Sequence, residues 1–434
     1  VRSIPGILFL VLGLLVSVGL HEFGHLVPAK KFGVKVSQYF IGFGPTLWST
    51  TIRGTEYGLK AIPLGGYVRL SGMLAPGKES RKRVGRRGQV TLAEEARLAS
   101  AEEIGPGEED QAFWRLSAPR KLVVMFSGPF VNLLLAGLCF TIVMCGIGSP
   151  TPTNKVSYVA QCITTAQECT SDDPVSPARA AGLESGDTIT RWGDADIENW
   201  EDVQSAIAAG GDAPVSVTVT RAGEERTLTV TPVLTQRPVT DSSGNVMTDS
   251  SGNPVTELRP YVGVSPAYAQ VAQPLSAVPG QVWTISKATA GVLLRLPVEL
   301  WHTTTDLISG NERSTSGVVG IVGVAGMAGE ITSADSELYG VSARIGDLLL
   351  LLGSLNLTLF IFNLIPLLPL DGGHMAGALY EGTRRQIARW RGRPDPGPVD
   401  TARLMPLSYA VAIAFIAMTV LLIVADIVNP ISLR

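Results

Sequence analysis

The sequence predicts a polytopic α-helical membrane protein: four transmembrane helices, a membrane-associated β element and one extracytoplasmic α+β domain. Three observations predict it. Hydrophobic residues make up 45% of the 434-residue chain and charged residues 17%, too many charges for a chain made of spans alone. Four apolar stretches approach the roughly 20 residues that a bilayer crossing needs. Lys and Arg are divided unevenly among the segments that join them.

The stretches Ile4–Leu26, Leu122–Ile147 and Leu407–Val428 are long and apolar enough to span, whereas Ile345–Leu368 is interrupted by Asn356, Asn363 and Pro366. The first reads as a retained span, because it lacks a strongly basic start and a small-residue cleavage site. Lys30, Lys31, Lys35, Arg53, Lys60, Arg69 and the run Arg81–Arg87 follow it. Arg384, Arg385, Arg389, Arg391, Arg393 and Arg403 precede the last span. By the positive-inside rule both basic segments are cytoplasmic, so both termini and residues 150–343 lie outside. A net charge of −3 and the lack of a Gly-rich phosphate loop argue against a nucleic-acid partner and against nucleotide chemistry.

The chain then divides as follows. Residues 1–30 form the first transmembrane helix and 31–74 the β region. There "VKVSQYFIGFG", "EYGLKAI" and "GGYVRL" read as short strands with Gly turns. They are too apolar for a loop in water, so they dip into the membrane, where non-helical backbone must pair with itself or line a cavity. Residues 75–119 form a cytoplasmic linker with little pattern, and 120–149 the second transmembrane helix. The extracytoplasmic domain covers 155–268 and contains a turn-rich insert in which TDSSGN occurs twice. An outside helical region, 269–343, places Val282, Ile285, Leu293, Leu296 and Leu300 on one face. The third transmembrane helix is 344–382, a basic cytoplasmic loop 383–405 and the fourth transmembrane helix 406–429. Among four cysteines, Cys139 and Cys145 fall in the second span and read as packing residues. Cys162 and Cys169 fall outside, where an oxidising compartment permits a disulfide, the alternative being two free thiols.

Chemistry concentrates in "LHEFGHLV", at the end of the first span. Residues i and i+4 share a helix face. His21 and His25 can therefore hold one Zn²⁺, and Glu22 can reach a zinc-bound water. With only four histidines in the chain, H-E-x-x-H would arise by chance on the order of once in several hundred such sequences. A Glu inside a span is costly and such residues mark function. With the span ending near Lys30, His25 lies about 7 Å and His21 about 13 Å from that end. The site is thus inside the bilayer, nearer the cytoplasm.

A catalytic zinc needs a third protein ligand and an open position. Asp371 is the acid in "NLTLFIFNLIPLLPLDGGHMAG", after Pro366 and Pro369 and before Gly372 and Gly373. A carboxylate in an unwound apolar segment needs a partner, and zinc supplies one; the alternative is a cap on a helix starting at His374. His374 reads as a cap or as a group behind the ligands, and His302 as an ordinary surface or packing residue.

The chain resembles the site-2 proteases, the intramembrane zinc metalloproteases. It is most similar to the bacterial branch that cuts membrane-bound anti-sigma factors, and to the single-PDZ members of actinobacteria. The resemblance rests on HEFGH at 21–25, "GVKVSQYFIGFGPTLW" at 33–48, "PLGGYVRLSG" at 63–72, "SGPFVN" at 127–132 and "NLIPLLPLDGGH" at 363–374, in the family's order over nearly the whole chain. It implies zinc ligands at His21, His25 and Asp371 and a catalytic Glu22. Asn363, Gly65 and Gly66 are the implied substrate-binding residues, the last two in the β region that engages substrate. It also implies that 155–268, with "SPARAAGLESGDTI", is a PDZ-like domain. The implied substrates are single-pass membrane proteins cut in or near their transmembrane segments, such as anti-sigma factors, after a first extracytoplasmic cut. The implied site is the bacterial inner membrane, with the lipid bilayer as the other partner. The rival reading is a PDZ-bearing membrane scaffold with a structural or lost metal site. "TSGVVGIVGVAGMAGE" departs from the family in carrying Val318 where relatives often have Pro.

Overall fold

The structure is a computed structural model that describes residues 3–76, 90–163, 169–170, 173–239, 247, 255–310, 313, 317–333 and 340–431. It divides into one unit formed by Val1–Ile147 with Pro274–Arg434, and a second formed by Gly148–Gln273. The chain opens with α1 (Ile4–Lys31), which Pro5 helps to start and Lys30 and Lys31 close. Two long strands follow, β1 (Val36–Ile52) and β2 (Thr55–Leu70). Both bend, so residues 38–41 pair with 56–59 on one side and with 66–69 on the other. Residues 46–52 pair with the outer side of 55–60. The result is four short paired segments turned at glycines, Gly42, Gly44 and Gly65 having positive φ. Leu26, Val36, Leu70, Phe113 and Val124 belong to one buried cluster that seats this sheet on the helices.

Residues 75–119 hold more structure than their pattern suggests, which corrects the expectation of a featureless linker. Helix α2 (Leu92–Glu102) sits there. Arg97 on it donates to both carboxylate oxygens of Asp400, at 3.2 and 2.7 Å, and to Glu94 at 2.8 Å. Polar helices anchored by a distant acid give no hydrophobic period to read. The next span is α3 (Ala118–Thr141), which continues as a π-helical turn over Ile142–Ile147.

The second unit holds β3 (Ser149–Val159), α4 (Pro177–Ala180), β4 (Thr188–Trp192), β5 (Ala195–Asp196), α5 (Trp200–Gly210), β6 (Val215–Arg221), β7 (Glu224–Val230), β8 (Val233–Pro238), β9 (Thr256–Tyr261) and β10 (Val264–Val271). Its main sheet has the order β10-β3-β4-β6-β7, with β5 on β4, and β8 and β9 form a separate pair. The unit exceeds the expected 155–268 because Ser149–Thr151 already pair with Ala269–Val271. Val156, Ile189, Trp192, Val203, Val217 and Val219 fill its core. Cys162 and Cys169 are joined by a disulfide. Most of the TDSSGN insert lies outside the described residues.

The first unit resumes with α6 (Ala277–Ser309), α7 (Ile321–Ser333), α8 (Val341–Asn363), α9 (Asp371–Trp390) and α10 (Met405–Val428). A single third transmembrane helix over 344–382 is not what forms. The helix stops at Asn363 and a new one starts at Asp371. Pro366 and Pro369 offer no N–H to a continuing helix, and the Leu368–Pro369 bond is cis. Among the described residues, four helical segments are long and apolar enough to cross a membrane: Ile4–Lys31, Ala118–Ile147, Val341–Asn363 and Thr401–Val428. Leu8, Leu12 and Val16 on α1 and Ile413, Ile416 and Val420 on α10 are exposed, as lipid-facing residues must be. The chain is a multi-pass membrane protein.

Asp187, fully buried, anchors the second unit. Arg221 grips it through two parallel bonds of 2.7 and 2.8 Å, and the Glu184 N–H adds a third at 2.9 Å. Burial pushes the carboxyl up, but these donors outweigh it and hold it below the ordinary carboxylate range. A lowered acid stabilises the fold fully above its unfolded value of about 3.9 and loses that contribution as pH falls through the folded one. We expect the opening free energy of this unit, read from amide exchange at Val217 and Val219, to fall below about pH 4. Arg221→Ala should lower it by about 3 kcal/mol at neutral pH, since it strands a buried charge. An acid profile unchanged by Arg221→Ala would remove the pair from this role.

Candidate active site

His21 and His25 lie one turn apart on α1. Their Nε2 atoms are 3.2 Å apart, and Asp371 Oδ2 lies 3.3 Å from each. All three donor atoms fall within 4.8 Å of one another, and among the described residues no other group of three His, Cys, Asp or Glu does so. His25 Nδ1 donates to the Val124 carbonyl at 2.7 Å, which leaves its Nε2 lone pair aimed at Asp371 and His21. Asp371 Oδ2 is buried and accepts no hydrogen bond. Three lone pairs that converge like this repel one another unless a cation lies among them. Two imidazole nitrogens and one carboxylate oxygen are donors of the kind and number that would hold a catalytic zinc. The donor set fits zinc.

Local sequence explains each placement. Regular helix keeps His21 and His25 on one face of α1. The face can approach α3 because both helices carry glycine at the crossing. A Cβ on Gly24 would lie 2.7 Å from Ser127 O, and one on Gly128 would lie 2.1 Å from His25 Nε2. Asp371 is the first residue of α9, and the preceding turn folds back over the helix start. A Cβ on Gly372 would meet Ile365 O at 2.2 Å, and one on Gly373 would meet Leu368 N at 2.6 Å. Leu367 N–H to Ile365 O at 2.7 Å and Leu370 N–H to Leu367 O at 2.9 Å close that turn.

Glu22 is half-buried and stands beside the edge segment of β2, where a Cβ on Gly66 would be 3.5 Å from its Cγ. Gly65 has φ +88, and a Cβ there would strike Phe43 at 2.8 Å. Tyr39 Oη donates to Gly19 O at 2.7 Å and ties the sheet to α1 one turn before Glu22. Asn363 ends α8, on the far side of the turn from Asp371. His374 lies near enough to Asp371 and His25 to interact electrostatically but contributes no atom to the donor cluster. His302 is exposed on α6. The sequence marks Asn356 as a polar residue in a span but does not name its partner. Asn356 Nδ2 donates to Ser17 Oγ at 2.9 Å, and both side chains are buried between α8 and α1. The Val124 carbonyl is backbone and has no side-chain signature at all.

The sequence matches Peptidase family M50 over residues 9–393. The chain belongs to this family. It is an intramembrane zinc metalloprotease of the site-2 type, and its metal is Zn²⁺. It is 29% identical over 447 residues to zinc metalloprotease Rip1 of Mycobacterium tuberculosis, covering 99% of both chains. Rip1 of Mycolicibacterium smegmatis is 31% identical over 444 residues, covering 99% of this chain and 98% of the relative. Zinc metalloprotease RasP of Oceanobacillus iheyensis is 25% identical over 434 residues, at 86% and 89% coverage.

This M50 peptidase makes one sharp structural prediction. Gly128→Ala places a methyl where the His25 ring stands. The variant should fold yet retain little zinc after dialysis, whereas Gly137→Ala on the same helix, where a Cβ meets nothing within 4 Å, should keep it. Equal metal content in the two would show that α3 does not constrain the His25 ring.

Proposed function

We propose that this peptidase cuts single-pass membrane proteins, anti-sigma factors among them, within or beside their transmembrane helix after a first extracytoplasmic cut. The observation that carries the reading is the convergence of His21, His25 and Asp371 beside helices apolar enough to span a bilayer. These three residues hold zinc in this reading. Bound zinc supplies a Lewis acid that makes water nucleophilic at neutral pH and polarises a carbonyl. Glu22 shares the helix face but not the donor cluster, which suits it to take a proton from water and return it to the leaving amine.

A helical substrate hides its scissile bond and must unwind. Residues 66–70 form an edge of the membrane-associated sheet beside Glu22. An extended substrate added there would pair its freed N–H and C=O groups, which the bilayer cannot satisfy. Gly65 and Gly66 keep that edge open, and Asn363 is read as a further substrate contact. The basic segments around 31–87 and 384–403 face the cytoplasm of a bacterial inner membrane. The catalytic residues then lie toward the cytoplasmic side, and both termini and the PDZ-like Gly148–Gln273 unit lie outside.

Two experiments test this. With purified protein and a membrane-embedded substrate stub, Glu22→Gln should abolish cleavage and keep zinc, while Asp371→Ala should lose both. Cleavage by Glu22→Gln at near the wild-type rate would remove the proton-transfer role, and full zinc in Asp371→Ala would return Asp371 to a helix cap. For orientation, a membrane-impermeant thiol reagent applied from outside should label Glu225→Cys and not Arg391→Cys, both exposed positions. The reverse pattern would invert the topology.

A further inference from the structure

The ligands arrive from distant parts of the chain, His21 and His25 on α1 and Asp371 on α9. Helix α3 touches both. Its Val124 carbonyl accepts from His25 Nδ1 at 2.7 Å. One turn earlier, Lys121 Nζ donates to Glu381 Oε2 of α9 at 2.8 Å, with the two side chains 8% and 3% exposed. One turn earlier again, Ala118 packs on Gly382, where a Cβ would stand 3.2 Å from the Ala118 Cβ. Positions 118, 121 and 124 share one face of α3. That single face therefore holds α9 twice and the His25 ring once.

We propose that the buried Lys121–Glu381 pair is a positioning device for the zinc site. It sets the axial and rotational seat of α9 on α3, and so delivers Asp371 to the histidine pair. Glu381 lies ten residues after Asp371 on the same uninterrupted helix, roughly 15 Å along its axis. A continuous helix transmits such a seat to its end. Apolar helix faces can slide past one another at little cost, and a hydrophobic pair would hold these two helices at least as firmly. What the ion pair adds is a single register, because a slipped α9 would leave two charges unpaired in an apolar environment. Glu381 is held further by Arg385 Nη2 at 3.2 Å and by the Val399 N–H at 3.3 Å, so its carboxylate is fixed on several sides. Neither Lys121 nor Glu381 reaches the donor cluster; both act through α3 and α9.

This inference rests on the zinc reading of His21, His25 and Asp371, and the test separates the two. Zinc affinity of the full chain in lipid is measured by chelator competition, together with the unfolding temperature of the zinc-free protein. Lys121→Met and Glu381→Gln should each weaken zinc binding by about 10-fold, the lower end of the range for groups that hydrogen-bond metal ligands directly, since these two act through the helices. Lys121→Arg keeps the charge and should restore affinity to within a few-fold. The comparison is Arg313→Met, which breaks a second buried pair, Arg313 Nη1 to Asp426 Oδ1 at 3.0 Å, neither member of which lies on α1, α3 or α9. It should lower the unfolding temperature and leave zinc affinity unchanged. If Lys121→Met does not fold, Glu381→Gln, which keeps the side-chain shape, carries the test. Zinc affinity at the wild-type level in Glu381→Gln, or an equal loss in Arg313→Met, overturns the positioning role. Failure of the wild-type chain to bind zinc would overturn the site reading itself and this inference with it.

Discussion

Two imidazoles and a carboxylate meet within hydrogen-bond range among helices that lipid surrounds, and their mutual attraction to one cation is the constraint on which the rest of the first unit depends. Charged and polar groups in such surroundings need partners. Here three acceptor atoms face one another at 3.2 to 3.3 Å, an arrangement that a shared cation stabilises. Shifting any of them by a turn would leave an ionisable group unsatisfied in an apolar bundle. The demand for a fixed meeting point explains why the surrounding helices are held by specific polar contacts as well as by apolar packing.

Those contacts use two devices. One is the absence of a side chain. Gly24 and Gly128 let α1 and α3 approach until backbone meets backbone, and Gly372 and Gly373 let the turn before α9 lie on the helix it introduces. Without a hydrophobic driving force between helices in lipid, close approach of small residues is a principal source of association. The other device is the buried polar bridge. Asn356 to Ser17 joins α8 to α1, Lys121 to Glu381 joins α3 to α9, and Asp426 on α10 accepts from Arg313 and from the Gly323 N–H at 2.8 Å. Each bridge specifies one arrangement where apolar faces alone would tolerate several.

The second unit follows other rules. Its core is apolar side chains from one face of its main sheet together with those of α4 and α5, as in a water-soluble domain. The buried carboxylate of Asp187, paired with Arg221, lies where β4 begins and β6 ends and closes the turn that begins at Glu184. The two units thus need different solvents, and the chain supplies each with its own means of stability.

Much of this protein was legible in the sequence, for physical reasons. A span must be about 20 residues of apolar chain, so the four long helices are visible in hydropathy. The i, i+4 spacing fixes His21 and His25 on one face whatever the helix packs against. Asp371, an acid beside two prolines and two glycines in an oily stretch, called for a partner, with zinc and a helix cap as the two readings. Short strands with glycine turns over 34–70 also followed from local pattern. Tertiary structure decided the rest. Pro366 and Pro369 foretold an interruption within 344–382, but it took the folded turn to end one helix at Asn363 and start the next at Asp371. It placed α2, whose reason is an acid some three hundred residues away at Asp400. It chose Val124 O as the partner of His25, and backbone carbonyls leave no trace in sequence. It brought Lys121 to Glu381 across 260 positions. Local periodicity reports what a segment needs to bury; only the folded chain shows which distant segment meets that need.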